Sequence, residues 1–204
     1  MAMMLPARCD EVFMTKETID RFIARLEALG GTAPGSNPDR RALAALRRSL
    51  ATWPAPPPDA VRVVAPFLPE QATGWWETVH YLIAGLFALH PCPTDSETER
   101  AQNMGAALRQ ATSGDTGQGP ERRLLALLGC KSEDLPNHLR HAVSYLRARD
   151  VPINYRRLMQ DLLRWDRGDG SVQRRWGRDF WAGAYEAGQQ ESKETILEEN
   201  SHVH

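Results

Sequence analysis

Adjacent arginines are the residues of this chain whose type and spacing are best suited to chemistry. Five such pairs occur, roughly twice the number expected if the chain's arginines were placed at random. A guanidinium group stays charged at physiological pH and donates paired hydrogen bonds to phosphate oxygens. The pairs therefore indicate a surface that binds an anionic backbone, and they are Arg40-Arg41, Arg47-Arg48, Arg122-Arg123, Arg156-Arg157 and Arg174-Arg175.

The histidines offer a second kind of chemistry, metal binding, but their spacing does not favour it. Glu77 and His80 form a Glu-x-x-His pattern on a predicted helix, whereas a carboxylate-bridged di-iron site needs two such motifs and further glutamates. We therefore expect His80 to be a buried, hydrogen-bonded histidine. His138 and His141 lack the His-Glu-x-x-His pattern of zinc enzymes. The chain is predicted to bind no metal and no cofactor.

A cysteine nucleophile is the third possibility. Cys92 lies between two prolines, with His90 two residues before it. Sequence neighbours seldom point at one another, so a Cys–His couple is not favoured. The chain also lacks a P-loop, a nucleotide-binding fingerprint and a Gly-x-Ser-x-Gly motif. We predict that the protein is not an enzyme, and a helical enzyme built around His80 or Cys92 is the weakest alternative.

Compartment follows from the cysteines and from hydropathy. The three cysteines share no disulfide or metal spacing, which is typical of the reducing cytoplasm. The longest nearly apolar run, residues 79–89, is well short of the roughly 20 residues that span a bilayer. The first 14 residues do not resemble a secretion signal. We therefore expect a cytoplasmic protein with no membrane partner.

Charge is distributed unevenly along the chain, although the net charge is only −1. Residues 122–178 contain 13 basic and 6 acidic residues, whereas the remainder contains 12 basic and 20 acidic ones. Such segregation creates a local positive field that the net charge conceals, which favours an anionic partner. An alternative explanation is a GC-rich coding sequence, which would favour arginine without any functional cause.

Hydrophobic periodicity predicts helices and no strands. Residues 75–89 are apolar nearly all round, which predicts a central buried helix. Asn37-Pro38 and the pair Ser96 and Glu99 are typical of helix N-termini. Ala55 and the three prolines after it form a connector that no helix can cross. The first helix ends at Gly30-Gly31, and one face of it carries Ile19, Phe22, Ile23, Leu26 and Leu29.

We predict an all-α fold of two packed helical halves. The Gly- and Ser-rich segment 112–119 is the expected boundary. The second half would contain four helices, which begin near Pro120, Asp134, Asn154 and Ser171. The predicted ranges are an N-terminal extension (1–14), an N-terminal helical region (15–112), a C-terminal four-helix bundle (119–187) and an acidic mobile tail (188–204).

Helical phase places many of the arginines on faces beside apolar stripes. At 100° per residue, Arg47 and Arg48 lie next to an arc of leucines, and Arg140 and Arg147, seven residues apart, nearly eclipse each other. Packed leucines would hold the arginine stems firmly. In the last helix Arg174, Arg175 and Arg178 lie opposite Val172, Trp176 and Phe180. Trp181 and Tyr185 flank that basic face, where they would either stack on unpaired bases or pack as core or interface aromatics.

An ordered set of these segments resembles the CasB family, the small subunit of the type I-E CRISPR surveillance complex Cascade. The resemblance covers roughly residues 15–185, and because Arg-Arg beside leucines is common, it rests on the order of the segments. They are Ala45–Leu50, Gly119–Leu128, Leu139-Arg140, Tyr155–Trp165 and Val172–Phe180.

The resemblance implies an all-helical, non-enzymatic protein, present as two copies beside the other Cascade subunits and the crRNA. Such a protein would hold the target and displaced DNA strands through their backbones while the guide RNA reads the sequence. Arg40-Arg41 has no counterpart that we can place. The implied contacts are Arg47, Arg48, Arg122, Arg123 and Arg140, and less securely Arg157, Arg174 and Arg175; shared helix faces add Arg147 and Arg178. The alternative from another class is a stand-alone helical adaptor that binds acidic protein surfaces.

Overall fold

Capping residues, glycines and prolines set the helix boundaries in this chain. The computed structural model describes residues 16–68, 74–93, 103–112, 118–165 and 168–182. Every regular element in these ranges is helical, which confirms the predicted all-α fold. Among the helices of these ranges, none is both long and apolar enough to cross a membrane. The predicted extension and tail, the Ser96 and Glu99 capping pattern and Tyr185 lie outside the described residues.

The chain divides into two compact units, residues 1–93 and 94–204. The first unit buries the face of its opening helix as predicted. Its central helix buries every residue from Val79 to Ala88, as the nearly continuous apolar sequence predicts. The prolines separate the second and third helices, as expected. The described elements of this unit are α1 (Lys16–Gly30), α2 (Arg40–Thr52), α3 (Pro58–Val64), a 3-10 turn (Ala65–Phe67) and α4 (Trp75–Leu89).

The start of α2 differs from the predicted one. Asp39, and not Asn37, is the N-cap, since Oδ1 of Asp39 accepts a hydrogen bond from the main-chain N–H of Ala42 at 2.9 Å. Aspartate satisfies the unpaired N–H groups of a first turn as well as asparagine does. The Asn37-Pro38 motif therefore predicted the helix correctly and its cap wrongly.

The second unit contains five helices within the described residues. The last four begin within one residue of their predicted starts. Asn154 caps one of them, because its Oδ1 accepts from the main-chain N–H of Arg157 at 2.9 Å. The five are α5 (Met104–Gln110), α6 (Gly119–Gly129), α7 (Leu135–Arg147), α8 (Tyr155–Leu162) and α9 (residues 171–182).

Helix α5 is fixed to α9 at its first turn. Asn103 caps α5 through the main-chain N–H of Ala106, and its Nδ2 donates to Oδ2 of Asp179 at 2.6 Å. Gly105 lies so close to Trp176 that a Cβ there would be 1.9 Å from the Trp176 carbonyl oxygen. The compact units accordingly divide before residue 94, whereas the boundary predicted from the sequence lies at 112–119.

Candidate nucleic-acid interface

In the first unit, the candidate interface is the exposed pair Arg47 and Arg48 on α2. Both side chains are exposed, and neither has an ion-pair partner among the described residues. Their helix is held by buried Leu43 and Leu46. Two unneutralised guanidinium groups on a packed helix form a rigid cationic site, suited to phosphate oxygens.

In the neighbouring pair on the same helix, Arg41 is arranged differently, whereas Arg40 is exposed. Nε of Arg41 lies 3.1 Å from Oδ2 of Asp59, and Nη2 lies 3.4 Å from Oδ1 of the same carboxylate. Arg41 therefore connects α2 to the first turn of α3. The family resemblance offers no counterpart for Arg40-Arg41, and this pair is not among the candidate contacts.

In the second unit, α7 presents the clearest basic stripe. Arg140 and Arg147 are both exposed, and no carboxylate in the described part of the chain pairs with either. The opposite face of α7 is buried through Leu139, Val143 and Leu146. Helical phase correctly predicted this arrangement.

Tyr145 holds two further arginines against one ring. The guanidinium carbon of Arg123 lies 4.0 Å from the ring centroid, and that of Arg149 lies 3.8 Å from it. The Arg123 side chain is half-buried, and its Nη1 also donates to the carbonyl oxygen of Gly119 at 2.9 Å, which fixes its position. The adjacent Arg122 is exposed, with one long hydrogen bond of 3.4 Å to Gln118. Arg149 and Tyr145 were not predicted, because no sequence motif marks either.

Two of the ten candidates serve the interior of the second unit. Arg175 forms a short ion pair with Oδ1 of Asp161, and Nε of Arg157 lies 3.3 Å from the same oxygen. Nε1 of buried Trp176 donates to Oδ2 of Asp161 at 2.7 Å. Burial raises the pKa of Asp161, while the Trp176 N–H and the two guanidinium groups oppose that rise. Asp161 was not predicted, although its spacing of four residues from Arg157 is that of a helical ion pair.

Arg174 and Arg178 are the exposed arginines of α9. Nη1 of Arg174 donates to the carbonyl oxygen of Asp169 at 2.7 Å, an interaction that leaves its charge uncompensated. Nε of Arg178 lies 3.5 Å from Oδ1 of Asp179, and the Arg178 side chain is 71% exposed. Such exposed pairs contribute little to stability, so Arg178 remains able to bind another anion.

The two alternative reactive residues, His80 and Cys92, are both buried. His80 is fully buried, and its Nδ1 lies 2.8 Å from the carbonyl oxygen of Trp76, to which it donates. This confirms the expected buried, hydrogen-bonded histidine. Cys92 is also buried, with Sγ 3.5 Å from the main-chain oxygen of His90. No group of three His, Cys, Asp or Glu side chains that could hold a metal ion occurs within the described ranges.

The buried position of His80 predicts that the first unit is less stable in mild acid. Burial lowers the pKa of His80 below 6.5, and the hydrogen bond to Trp76 only partly opposes this. Below pH 6.5 the unfolded chain therefore binds a proton that the folded chain does not. We expect the free energy of unfolding to fall as the pH is lowered through about 6.5, by at most about 1.4 kcal/mol per pH unit from this group. Urea unfolding of wild type and His80→Gln should show the smaller slope in the variant; equal slopes would contradict the assignment.

Comparison with known proteins gives this arrangement a context. A family model described as CRISPR-associated protein Cse2 matches residues 42–181, more than half of the chain. The chain belongs to the Cse2 family. The CRISPR-associated protein Cse2 of Thermus thermophilus is 36% identical over 172 residues, which are 82% of this chain and 92% of that protein.

Solved structures agree with the family assignment. The crystal structure of M. ruber CasB is 26% identical, with a TM-score of 0.67 over 84% of this chain and 97% of that one. A chain of a CRISPR RNA-guided surveillance complex is 28% identical, with a TM-score of 0.64 over 86% of this chain and 96% of that one. The sequence-based resemblance to CasB is thereby confirmed. All ten candidate arginines lie within the matched segment of this Cse2 protein, whereas Arg40-Arg41 precedes it.

Proposed function

We propose that this Cse2 protein is a non-catalytic subunit of a type I-E CRISPR surveillance complex. In that complex it would bind the sugar-phosphate backbone of DNA. Its partners would be the other Cascade subunits, the crRNA, a second copy of itself, and the target and displaced strands. Base pairing with the guide supplies sequence recognition in such complexes, so the protein needs only to stabilise the opened DNA. It would act in the cytoplasm, in defence against foreign DNA.

One observation supports this proposal above the others. Four candidates, Arg47, Arg48, Arg140 and Arg147, are exposed on packed helices without an ion-pair partner in the described part of the chain. Arginines without carboxylate partners keep their full charge for an incoming phosphate. Arg122 and Arg174 contact only neutral oxygens, so their charges are also available to a phosphate group.

The double variant Arg47→Ala/Arg48→Ala tests the proposal in the assembled complex. Each phosphate contact releases condensed counterions, so binding of target DNA should weaken steeply between about 50 and 200 mM salt. We expect the variant to bind about tenfold more weakly and to reduce the slope of log K against log salt by about two. Binding should be measured by filter retention or anisotropy across the salt series.

The matched control is Arg40→Ala/Arg41→Ala, which removes two positive charges from the same helix. It should leave the slope close to that of wild type. If both double variants change the slope equally, general charge and not a phosphate site accounts for binding. If Arg47→Ala/Arg48→Ala instead releases the subunit from the complex and leaves the slope unchanged, the arginines bind an acidic protein surface, as the adaptor alternative requires.

A further inference from the structure

Three large hydrophobic residues are exposed in the described ranges, and Trp181 is the aromatic one. It is 39% exposed, near the end of α9, and the other two such residues are Val61 and Leu125. Single exposed apolar residues are common on globular proteins, so exposure alone assigns Trp181 no function. The arrangement around this ring shows that it is held in place, and not merely left outside the core.

Three contacts fix the indole of Trp181. Its Nε1 donates to Oε1 of Glu121 on α6 at 3.1 Å, and its ring packs edge-to-face on Phe180, with centroids 5.4 Å apart. The benzene half lies over Gly177, one turn earlier, where a Cβ would be 3.0 Å from Cζ3 of Trp181. Because residue 177 has no side chain, the ring can lie against its own helix. These contacts therefore hold the indole in one position, while 39% of the residue remains exposed.

Arginines lie on the same helix face as this ring and next to its hydrogen-bond partner Glu121 in sequence. Arg174 and Arg178 precede Trp181 by seven and three residues, so all three lie within about 60° of one another on α9. Arg122 follows directly after Glu121, the residue that holds the indole N–H. The carboxylate of Glu121 repels a phosphate group beside the ring. A nucleic-acid strand on the arginines would accordingly bring a base, and not its backbone, over the indole.

We infer that Trp181 is a stacking platform for an unpaired base of the displaced DNA strand. The inference rests on the proposed function and adds a ligand class to it, since the arginines bind phosphate and the indole binds base faces. Stacking tolerates any base, because every base has a π-face, and it requires that the base be unpaired. Trp181 would thus make this surface prefer a single strand over a duplex, which the arginines alone cannot do.

The test uses the assembled surveillance complex with wild-type subunit or with Trp181→Leu, which keeps apolar bulk and removes the aromatic face. Two target duplexes are compared: one with normal bases in the displaced strand, and one with abasic residues over the same stretch. Trp181→Leu should speed dissociation from the normal duplex about tenfold, the usual effect of losing one stacked base. It should not change dissociation from the abasic duplex, whose phosphates are all present.

Three further variants keep the result decisive. Trp181→Phe should retain most of the base-dependent effect, and Gly177→Ala, which displaces the ring without removing it, should lose part of it. Leu125→Ala removes another exposed apolar side chain and should change the dissociation rate from neither duplex. Equal acceleration on both duplexes, or none on either, would overturn the stacking inference.

The arginine variants separate this inference from the proposed function. Arg174→Ala/Arg178→Ala should speed dissociation from both duplexes alike, because phosphates are common to them. If that double variant has no effect while Trp181→Leu still discriminates between the duplexes, the phosphate proposal fails on this face and the stacking inference stands.

Discussion

Replacing Gly105 by alanine is expected to lower the free energy of unfolding of the second unit by about 3 kcal/mol or more. The added Cβ would be 1.9 Å from the carbonyl oxygen and 2.6 Å from the carbonyl carbon of Trp176. These are main-chain atoms, so the clash can be relieved only by moving α5 away from α9. That movement would also strain the hydrogen bond between Asn103 and Asp179. The gain in helix propensity from glycine to alanine, about 1 kcal/mol, is too small to offset it.

Gly129→Ala is the matched control, since no atom lies within 4 Å of a Cβ at that position. It should change the free energy of unfolding by no more than about 1 kcal/mol. Both variants should be measured by chemical denaturation followed by circular dichroism. A Gly105→Ala protein as stable as wild type would mean that α5 does not pack on α9 at this distance.

Much of the fold was predictable because its signals are local. The apolar spacing of α1 reports one buried face within a single helix, and residues 75–89 report burial on all sides. Capping residues and prolines lie beside the boundaries that they determine, as Asn154 does for α8. Where two caps compete within three residues, as at Asn37 and Asp39, the sequence alone does not choose between them.

The membership of α5 was not predictable, because the contacts that decide it are distant in sequence. Asn103 and Asp179 are 76 residues apart, and Gly105 approaches Trp176 over a similar separation. A Gly- and Ser-rich segment signals a loop, and it carries no information about which side the preceding helix joins. The sequence therefore indicated that one helix ends before this segment and another begins at its end, and did not indicate the division between compact units.

The candidate interface was predictable only in part, for a related reason. Helical phase tells which arginines avoid the apolar stripe, and it correctly placed Arg47, Arg48, Arg140 and Arg147 on exposed surfaces. Phase cannot tell whether a neighbouring element supplies a carboxylate. Arg175 lies beside α8, where Asp161 faces inward between buried Leu158 and Leu162. The same polar–apolar pattern thus describes both an exposed arginine without a carboxylate partner in the described ranges and an arginine that pairs with a buried carboxylate.

Asp161→Ala is the second change with a large expected effect, a loss of about 3 kcal/mol in the free energy of unfolding. The carboxylate is 1% exposed and accepts from Trp176 and from Arg175. Its removal leaves the buried indole N–H without an acceptor, which costs about 1–3 kcal/mol. It also leaves two guanidinium groups without their shared counter-charge, a change that is strongly destabilising when such a pair is buried. Since Arg157 and Arg175 are partly exposed, water relieves some of that cost.

The neighbouring pair Arg174 and Arg175 shows whether this cluster is structural or functional. Arg175→Ala should destabilise the protein, because Asp161 then keeps only Arg157 and Trp176 as partners and its pKa rises further. Arg174→Ala removes the same charge one residue earlier, where the side chain is exposed, and should leave stability within about 0.5 kcal/mol. In DNA binding the order should reverse, with Arg174→Ala reducing the salt slope by about one and Arg175→Ala, at a temperature where it is folded, changing it less. Denaturant midpoints and salt series on the two single variants measure both quantities. Equal stabilities, with equal slopes, would place both arginines on the same surface and contradict the role assigned to Asp161.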